Sequence, residues 1–538
     1  MAGMQDGLAG CAEPARTPVD AGDPARFHRN QANALMLQGR LAESEAASRQ
    51  ALGLRPDDVD AMNDLGLAIW RQGRPAEAEA IYRQACALEP DDYRILTNLG
   101  LALSDLDRKD EAAECFRAAL RVRPDCFDAR MNLGIVLSDQ GRFDDAVEWL
   151  FGALELRPDS ADALQNVGMN LLRLGKWAEA IAYYERALEQ RPDFPEVHRN
   201  LAYALLCCGD FERGWPEHEW RLKCRPHPGA RINRTFWNGD DFRGRTILLH
   251  AEQGYGDTLQ FIRFAPMVKR RGGRVLVLCQ TRLLRLIARC PGVDLAFEGS
   301  SYVPDCDVHA PLMSLPAIFG TTLATLPAEV PYLSVDPVFV EHWRSVLADA
   351  LAPTGQAVPP TSTWQAGMSA RPAARPFLIG IAWQGSPANR ADHWRSFPLA
   401  QYAPLAEVPG VRLISLQIDH GLDQIPALGG RFPIVELPGR RPRDFLDTAA
   451  IMTQLDLVIS PCTAVAHLAG GLGLRVWLTL CSASDWRWHV GRDDSPWYPT
   501  MRVFRQTTFG HWDDVFRRMA ETLRRELAAG PLPASSAA

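Results

Sequence analysis

A proline recurs at intervals of 34 residues along the first part of the chain. The prolines in this series are Pro56, Pro90, Pro124, Pro158, Pro192 and Pro226. Because a proline ring has no N–H and cannot continue a helical hydrogen-bond ladder, each one marks a place where a helix must end. The period therefore predicts six units of helix, turn and helix between about residues 25 and 228.

Small residues recur in phase with the prolines. One series is Ala32, Gly66, Gly100, Gly134, Gly168 and Ala202, and another is Ala51, Ala85, Ala119, Ala153 and Ala187. Small side chains allow two helices to cross closely, and 34 residues is the period of the tetratricopeptide repeat. Such repeats stack into a curved α-solenoid. The sequence predicts this solenoid over residues 25–228, after an aperiodic tail at residues 1–24 that is rich in Gly, Ala, Pro and Asp.

The sixth position of each unit is polar. The residues at this position are Asn30, Asp64, Asn98, Asn132, Asn166 and Asn200, on the helix that lines the concave face of stacked repeats. A primary amide offers one acceptor oxygen and two donor hydrogens, which can pair with the C=O and N–H of an extended peptide. We therefore expect Asn98, Asn132, Asn166 and Asn200 to bind a protein or peptide partner. The alternative is that these amides bond the neighbouring helix.

Length, charge and hydropathy exclude several classes of protein. A chain of 538 residues is too long for one core. The net charge of -7 argues against a protein that binds nucleic acid, since phosphate binding needs a basic excess. There is no apolar leader sequence and no run of 18 or more apolar residues. The sequence therefore predicts a cytoplasmic protein without a membrane span.

The pattern of apolar residues changes from about residue 245. Short apolar runs alternate with helical stretches, and the runs are Thr246–His250, Val275–Leu278, Phe377–Trp383, Val411–Leu416, Leu455–Ser460 and Val476–Leu480. This alternation is typical of parallel α/β layers. We predict an N-terminal lobe at 240–350, a Pro-rich linker at 351–376 and a C-terminal lobe at 377–530. Ligands of such sheets bind at the carboxyl ends of the strands, here in a cleft between the lobes.

The first turn of interest joins a predicted strand to a helix and runs from His250 to Asp257. Its glycines let the backbone approach a ligand closely. Asp257 lies at the mouth of the predicted cleft and is a candidate catalytic base. The alternative is that Asp257 is a helix N-cap, since Asp is a favoured residue there.

The second turn runs from Ser460 to Gly470. Thr463 can cap the helix that begins at Ala464, and the unpaired N–H groups of a helix start can bind a phosphate. His467 lies one turn along the same face and can donate to that phosphate. The alternative is that His467 only packs near the helix start.

At these turns the chain resembles the GT-B glycosyltransferases of the heptosyltransferase type, and in particular bacterial proteins that fuse tetratricopeptide repeats to such a domain. Four ordered segments carry the likeness: AEQGYGDTLQFIRFAP from Ala251, GIAWQGSPANRADHWRSFPL from Gly380, LDLVISPCTAVAHLAGGLG from Leu455 and DWRWHVGRDDSPWYPTMRVFRQ from Asp485. The plan of repeats followed by a GT-B fold is also similar to that of protein O-GlcNAc transferases and flagellin-glycosylating enzymes.

The resemblance implies a transfer of sugar from a nucleotide-activated donor, with Asp257 as the base and without a metal ion or cofactor. The residues that it implies for donor binding are Gln384, Gly385, Arg395, Gln417, Thr463, Ala464 and His467. Cys462 stands where the family carries an aspartate, and a thiol does not supply a carboxylate's charge. Two alternatives therefore stay open: a protein-binding scaffold with an inactive transferase domain, or a transferase that acts on a glycan or lipid intermediate.

Overall fold

The computed structural model describes residues 23–224, 232, 234–299, 304–352, 375–389, 392–437, 442–482, 485–508 and 510–529. The chain forms two compact units, Met1–Leu201 and Ala202–Ala538. Most of the predicted tail at 1–24 and most of the predicted linker at 351–376 lie outside the described residues, as does Pro226.

Paired helices of 13 or 14 residues build the first unit. They are α1 (Pro24–Leu37), α2 (Leu41–Leu54), α3 (Val59–Arg71), α4 (Pro75–Leu88), α5 (Tyr93–Asp105), α6 (Lys109–Val122), α7 (Phe127–Asp139), α8 (Phe143–Leu156), α9 (Ala161–Arg173), α10 (Trp177–Gln190) and α11 (Pro195–Cys207), which crosses into the second unit. The predicted period is therefore confirmed as a helical solenoid.

The small residues of the period are required by close packing inside each repeat. A Cβ atom at Gly66 would lie 2.5 Å from the ring of Tyr82, and one at Gly100 would lie 2.6 Å from the ring of Phe116. Both rings are fully buried. The aromatic residue on the second helix therefore occupies the space that a side chain on the first helix would need.

Ion pairs connect neighbouring repeats near the start of the solenoid. Arg74 lies 2.9 Å from Glu45, and Arg108 lies 2.7 Å from Glu79. In each pair the arginine precedes the second helix of one repeat and the glutamate lies on the second helix of the repeat before. One repeat further along, Ala113 replaces the glutamate and Arg142 is the equivalent arginine. This kind of ion pair therefore does not form between those two positions.

Two parallel sheets build the second unit. The first sheet has the order β1-β5-β2-β3-β4 and the second has the order β11-β10-β9-β6-β7-β8. The strands are β1 (Thr235–Phe236), β2 (Thr246–His250), β3 (Arg274–Cys279), β4 (Leu295–Glu298), β5 (Val308–Pro311), β6 (Phe377–Ile381), β7 (Val411–Ser415), β8 (Ile434–Val435), β9 (Leu457–Pro461), β10 (Val476–Leu480) and β11 (Met501–Arg505). All of these neighbouring strands run parallel.

The helices of the second unit are mostly short. They are α12 (Phe211–His218), α13 (Arg221–Cys224), α14 (Tyr255–Phe261), α15 (Ala265–Arg270), α16 (Leu284–Ile287), α17 (Leu315–Ile318), α18 (Pro337–Leu351), α19 (Asp392–Arg395), α20 (Ala403–Ala406), α21 (Gln424–Ala427), α22 (Phe445–Met452), α23 (Ala464–Gly471) and α24 (Asp513–Ala528). Among the described helices, none is both long and apolar enough to cross a membrane.

The boundary between the two units falls after Leu201, inside the last predicted repeat, so most of that repeat belongs to the second unit. Its helix α12 contains Trp215, whose indole N–H donates to the carbonyl of Thr321 at 2.8 Å. The ring of Trp215 also packs edge-on against Trp486. Trp215 thus ties α12 to the α/β region.

Candidate active site

The two turns that the sequence singles out lie together in the second unit. The first turn follows β2 and leads into α14, and the second follows β9 and leads into α23. A Cβ atom at Gly256 would lie 2.8 Å from Cδ2 of His467. A larger residue at 256 would collide with the His467 ring, so the start of α14 packs directly against a side chain of α23.

Asp257 occupies the third position of α14. Its Oδ2 accepts a hydrogen bond from the N–H of Gly254 at 2.8 Å, and Gly254 is the N-cap residue. The alternative of Asp257 as the N-cap is therefore wrong in position, although the carboxylate does close the first turn of the helix. The side chain remains 18% exposed, so solvent still reaches the carboxylate.

The second oxygen of Asp257 accepts a hydrogen bond from Nη2 of Arg487, a residue that sequence reasoning did not single out. Burial raises the pKa of Asp257, and the guanidinium of Arg487 opposes that rise. Arg487 belongs to a segment that carries the family resemblance, and the signal that could have identified it is an arginine between two tryptophans.

Cys462 is tied into the second turn through both its side chain and its backbone. Its Sγ accepts a hydrogen bond from Nε1 of Trp488 at 3.0 Å, and its carbonyl accepts one from Nη1 of Arg395 at 2.9 Å. Burial raises the pKa of the thiol to about 12. Cys462 is thus neutral at physiological pH and brings no negative charge to the turn.

Thr463 occupies the N-cap position of α23 without capping it. Its hydroxyl lies 3.0 Å from Oγ of Ser460 instead. The side chain of Thr463 therefore does not bond to the N–H groups at the start of α23, although the carbonyl of Thr463 accepts from the N–H of Ala466 at 3.1 Å.

His467 is buried inside the site. Its Nδ1 lies 2.9 Å from the hydroxyl of Tyr498, and its ring stacks on that of Trp488 with 5.2 Å between centroids. Burial holds the pKa of His467 well below its usual range, so the imidazole is neutral. These contacts favour the alternative in which His467 packs near the helix start.

Arg395 reaches the second turn from α19. Its Nε donates to Oδ1 of Asp392 at 3.0 Å, and 22% of its side chain is exposed. A Cβ atom at Gly385 would lie 2.2 Å from the same Oδ1. Glycine at 385 therefore makes room for the pair that orients Arg395.

The side-chain amide of Gln417 forms hydrogen bonds with backbone groups. Its Oε1 accepts from the N–H groups of Trp383 and Gln384 at 3.0 and 3.2 Å. Its Nε2 donates to the carbonyls of Gln384 and His420 at 2.9 and 2.8 Å. Gln417 therefore links the loop that follows β6 to the loop that follows β7. Through these bonds it positions the backbone of Gln384, which is another residue predicted to bind the donor.

The amides predicted to bind a peptide differ in exposure. Asn98 and Asn132 are only 1% and 3% exposed. Nδ2 of Asn98 donates to Oδ1 of Asn63 on the preceding repeat at 2.9 Å, which favours the alternative of bonding to the neighbouring helix. Asn166 and Asn200 are half-buried, and Nδ2 of Asn166 donates to the carbonyl of Asp162 on its own helix at 2.8 Å.

Comparisons with known proteins agree with the repeat architecture. A family model described as tetratricopeptide repeat matches residues 23–93 and 97–161, and one described as TPR repeat matches residues 168–206. Protein FlbA of Caulobacter vibrioides is 28% identical over 339 residues, which cover 58% of this chain and 52% of FlbA. The chain thus spans about half the length of that relative.

Two solved structures are also similar in part. PilF of Pseudomonas aeruginosa is 18% identical with a TM-score of 0.35, and the match covers 38% of this chain and 92% of that one. YrrB, described as a TPR protein with an unusual peptide-binding site, is 22% identical with a TM-score of 0.28, covering 32% and 89% of the two chains. Residues 23–206 carry tetratricopeptide repeats.

Proposed function

We propose that the second unit is a glycosyltransferase that moves a sugar from a nucleotide-activated donor to a protein acceptor held by the solenoid. The observation that supports this most is the meeting of two turns at the ends of parallel strands. A partly exposed carboxylate, Asp257, stands on one turn, and Arg395 bonds to the other at Cys462. The family resemblance of the four segments adds to this support.

In the proposed reaction Asp257 takes the proton from an acceptor hydroxyl as that oxygen attacks the anomeric carbon. The bond from the anomeric carbon to the nucleotide phosphate breaks, and the phosphate leaves with the electron pair. General base catalysis of this kind contributes about 10² to 10⁴ in rate. Because burial raises the pKa of Asp257, the carboxylate is a stronger base than an exposed aspartate.

The leaving phosphate needs positive charge near the second turn. Arg395 carries a fixed guanidinium there, and the first N–H groups of α23 point along the helix axis at the positive end of its dipole. In this proposal these groups stabilise the phosphate, and no metal ion or cofactor takes part. His467 contributes through packing, since it is neutral and buried.

The solenoid supplies the proposed acceptor site. Tetratricopeptide repeats typically bind peptides, and a protein substrate would place its hydroxyl in the transferase through that contact. Among the predicted peptide contacts, Asn166 and Asn200 are the half-buried ones. We propose that these two bind the acceptor backbone, while Asn98 bonds to Asn63 on the repeat before it and Asn132 lies buried.

A second candidate function is a protein-binding scaffold whose transferase domain is inactive. The neutral thiol of Cys462 favours it, because the family's aspartate is missing and no carboxylate replaces it at that position. In this reading the repeats keep their role and the cleft binds no donor.

Calorimetry with a panel of nucleoside diphosphates and CMP separates the two functions. We expect one nucleotide to bind the wild type, and Arg395→Ala to weaken it by about 1.5–3 kcal/mol, the usual loss for a charged hydrogen-bond partner. Arg412→Ala is the matched control, since Arg412 is an exposed arginine on β7. Absence of binding by the wild type would favour the scaffold. If a nucleotide does bind, mass spectrometry of cellular proteins with and without this chain can identify the modified acceptor.

A further inference from the structure

Arg487 has no role in the reaction proposed above, yet its guanidinium makes several charged contacts in the candidate site. Nη2 donates to Asp257, Nη1 donates to both oxygens of Asp485 at 2.8 and 3.0 Å, and Nε donates to Oε1 of Gln260. The arginine side chain is only 6% exposed. All three nitrogen atoms are therefore engaged, and two of them donate to carboxylates in bonds that are stronger than neutral ones.

Aromatic rings and the backbone hold the same group from other sides. The guanidinium lies 4.4 Å from the ring centroid of Trp486 and 5.6 Å from that of Phe261. Asp485 also accepts a hydrogen bond from the backbone N–H of Arg487 at 3.0 Å. The guanidinium cannot turn away from Asp257 without breaking several of these contacts.

We propose that Arg487 is the positioning residue for Asp257, a role that rests on the transfer reaction proposed above. Arg487 holds Oδ1 of Asp257 while the N–H of Gly254 holds Oδ2, and Asp485 in turn holds Arg487. A carboxylate oxygen can accept two hydrogen bonds. Each oxygen of Asp257 accepts one in these contacts, so each can still accept a second. Asp257 is thereby fixed in one orientation and can still receive a proton from an acceptor hydroxyl.

The charges around Asp257 predict a change in the pH–rate profile that tests this role. Burial raises the pKa of Asp257, Arg487 lowers it, Asp485 raises it, and Arg221 lowers it more weakly than Arg487 does. Removing the positive charge should therefore move the acid limb of the pH–rate profile to higher pH, and removing the negative charge of Asp485 should move it to lower pH. A residue that only supports the fold would reduce the rate without shifting the profile in opposite directions.

The first test compares Arg487→Met, Arg487→Lys and Asp485→Asn in the full chain. The assay follows the release of the nucleotide that calorimetry identifies from a panel of sugars activated with that nucleotide. We expect Arg487→Met to reduce kcat at least 100-fold, Arg487→Lys to recover part of that loss, and the two charge removals to shift the acid limb in opposite directions. Arg492→Met is the control from the same segment, with an exposed ion pair to Asp494, and should leave the profile unchanged. Shifts in the same direction, or none, would overturn the proposal.

The second test does not depend on activity. A double-variant cycle of Arg487→Met and Asp257→Asn is measured by equilibrium unfolding. At pH 8 the combined effect on the unfolding constant should differ from the product of the single effects by at least tenfold. At pH 4 a larger share of Asp257 is protonated, because burial raises its pKa, so the difference should be smaller than at pH 8. Lack of coupling at pH 8 refutes the positioning role whatever the turnover, whereas coupling in a protein without donor turnover refutes the transferase and the role within it.

Discussion

Replacing Asp64 with asparagine should stabilise the solenoid, and more so at higher pH. Asp64 lies on α3, at the position where the other repeats carry asparagine. Burial is the main cause that raises its pKa from 3.8 to about 7, with Arg29 opposing and Asp60 adding to the rise. Among the described residues, none donates a hydrogen bond to the buried Oδ2. The ionised carboxylate is therefore poorly accommodated in the folded state.

The sign of the pH dependence follows from the raised pKa. The folded state prefers the protonated acid, so ionisation costs stability from about pH 4 upward, and the cost stops growing above about pH 7. Each pH unit in this window is worth about 1.4 kcal/mol. Asparagine keeps the shape and has no such cost. We expect the gain from Asp64→Asn to be roughly 2–3 kcal/mol larger at pH 8 than at pH 5.

Hydrogen exchange measured by mass spectrometry on the full chain can follow this effect in α3 and α4, after correction for the pH dependence of the intrinsic exchange rates. Asp57→Asn is the matched control just before the same helix, because Asp57 is exposed. Its replacement should change protection equally at both pH values. An equal gain for Asp64→Asn at both pH values, or no gain at pH 8, would refute the reasoning.

Three further substitutions test other parts of the structure. Gly66→Ala places a Cβ atom against the ring of Tyr82 and should destabilise the second repeat by about 1–3 kcal/mol in urea unfolding; an unchanged midpoint would contradict the packing. Asp257→Asn should keep nucleotide affinity within about twofold and reduce transfer by roughly 10² or more; near wild-type turnover would remove Asp257 as the base. Arg221→Met leaves the buried carboxylate of Glu252 unpaired and should cost about 3–5 kcal/mol in unfolding, whereas a loss below about 1 kcal/mol would show that water compensates the charge.

Sequence periodicity predicts the helices of the solenoid because its small residues and prolines act locally, within one repeat. The strands that it predicts are found for the same reason, since β2 and β10, for example, are short and mostly apolar runs. The two-residue strands β1 and β8 have no such run and depend on their neighbours. The apolar runs thus predict β2, β3, β6, β7, β9 and β10. They miss β4 and β11, and they also miss β5, which lies inside the first sheet.

The candidate site was less predictable because its contacts join distant parts of the chain. Arg487 meets Asp257 across 230 positions, and no local pattern reports such a pair. The burial of Asn98 likewise depends on how one repeat stacks on the next, since its partner is Asn63. The sequence indicated which turns carry polar groups, and the structure shows which of those groups contact one another.

The ion pairs between early repeats bear on how such a chain can change length during evolution. Arg74 and Glu45 are separated by 29 positions, as are Arg108 and Glu79. If the 34 residues at 59–92 were lost as a block, Arg108 would take the place of Arg74 and face Glu45. Duplication of the same block would create one more equivalent pair. Whole repeats can therefore be gained or lost at this end, because the same arginine–glutamate pair forms between the repeats that become neighbours. Ala113 cannot form such a pair, so a rearrangement there would not preserve it.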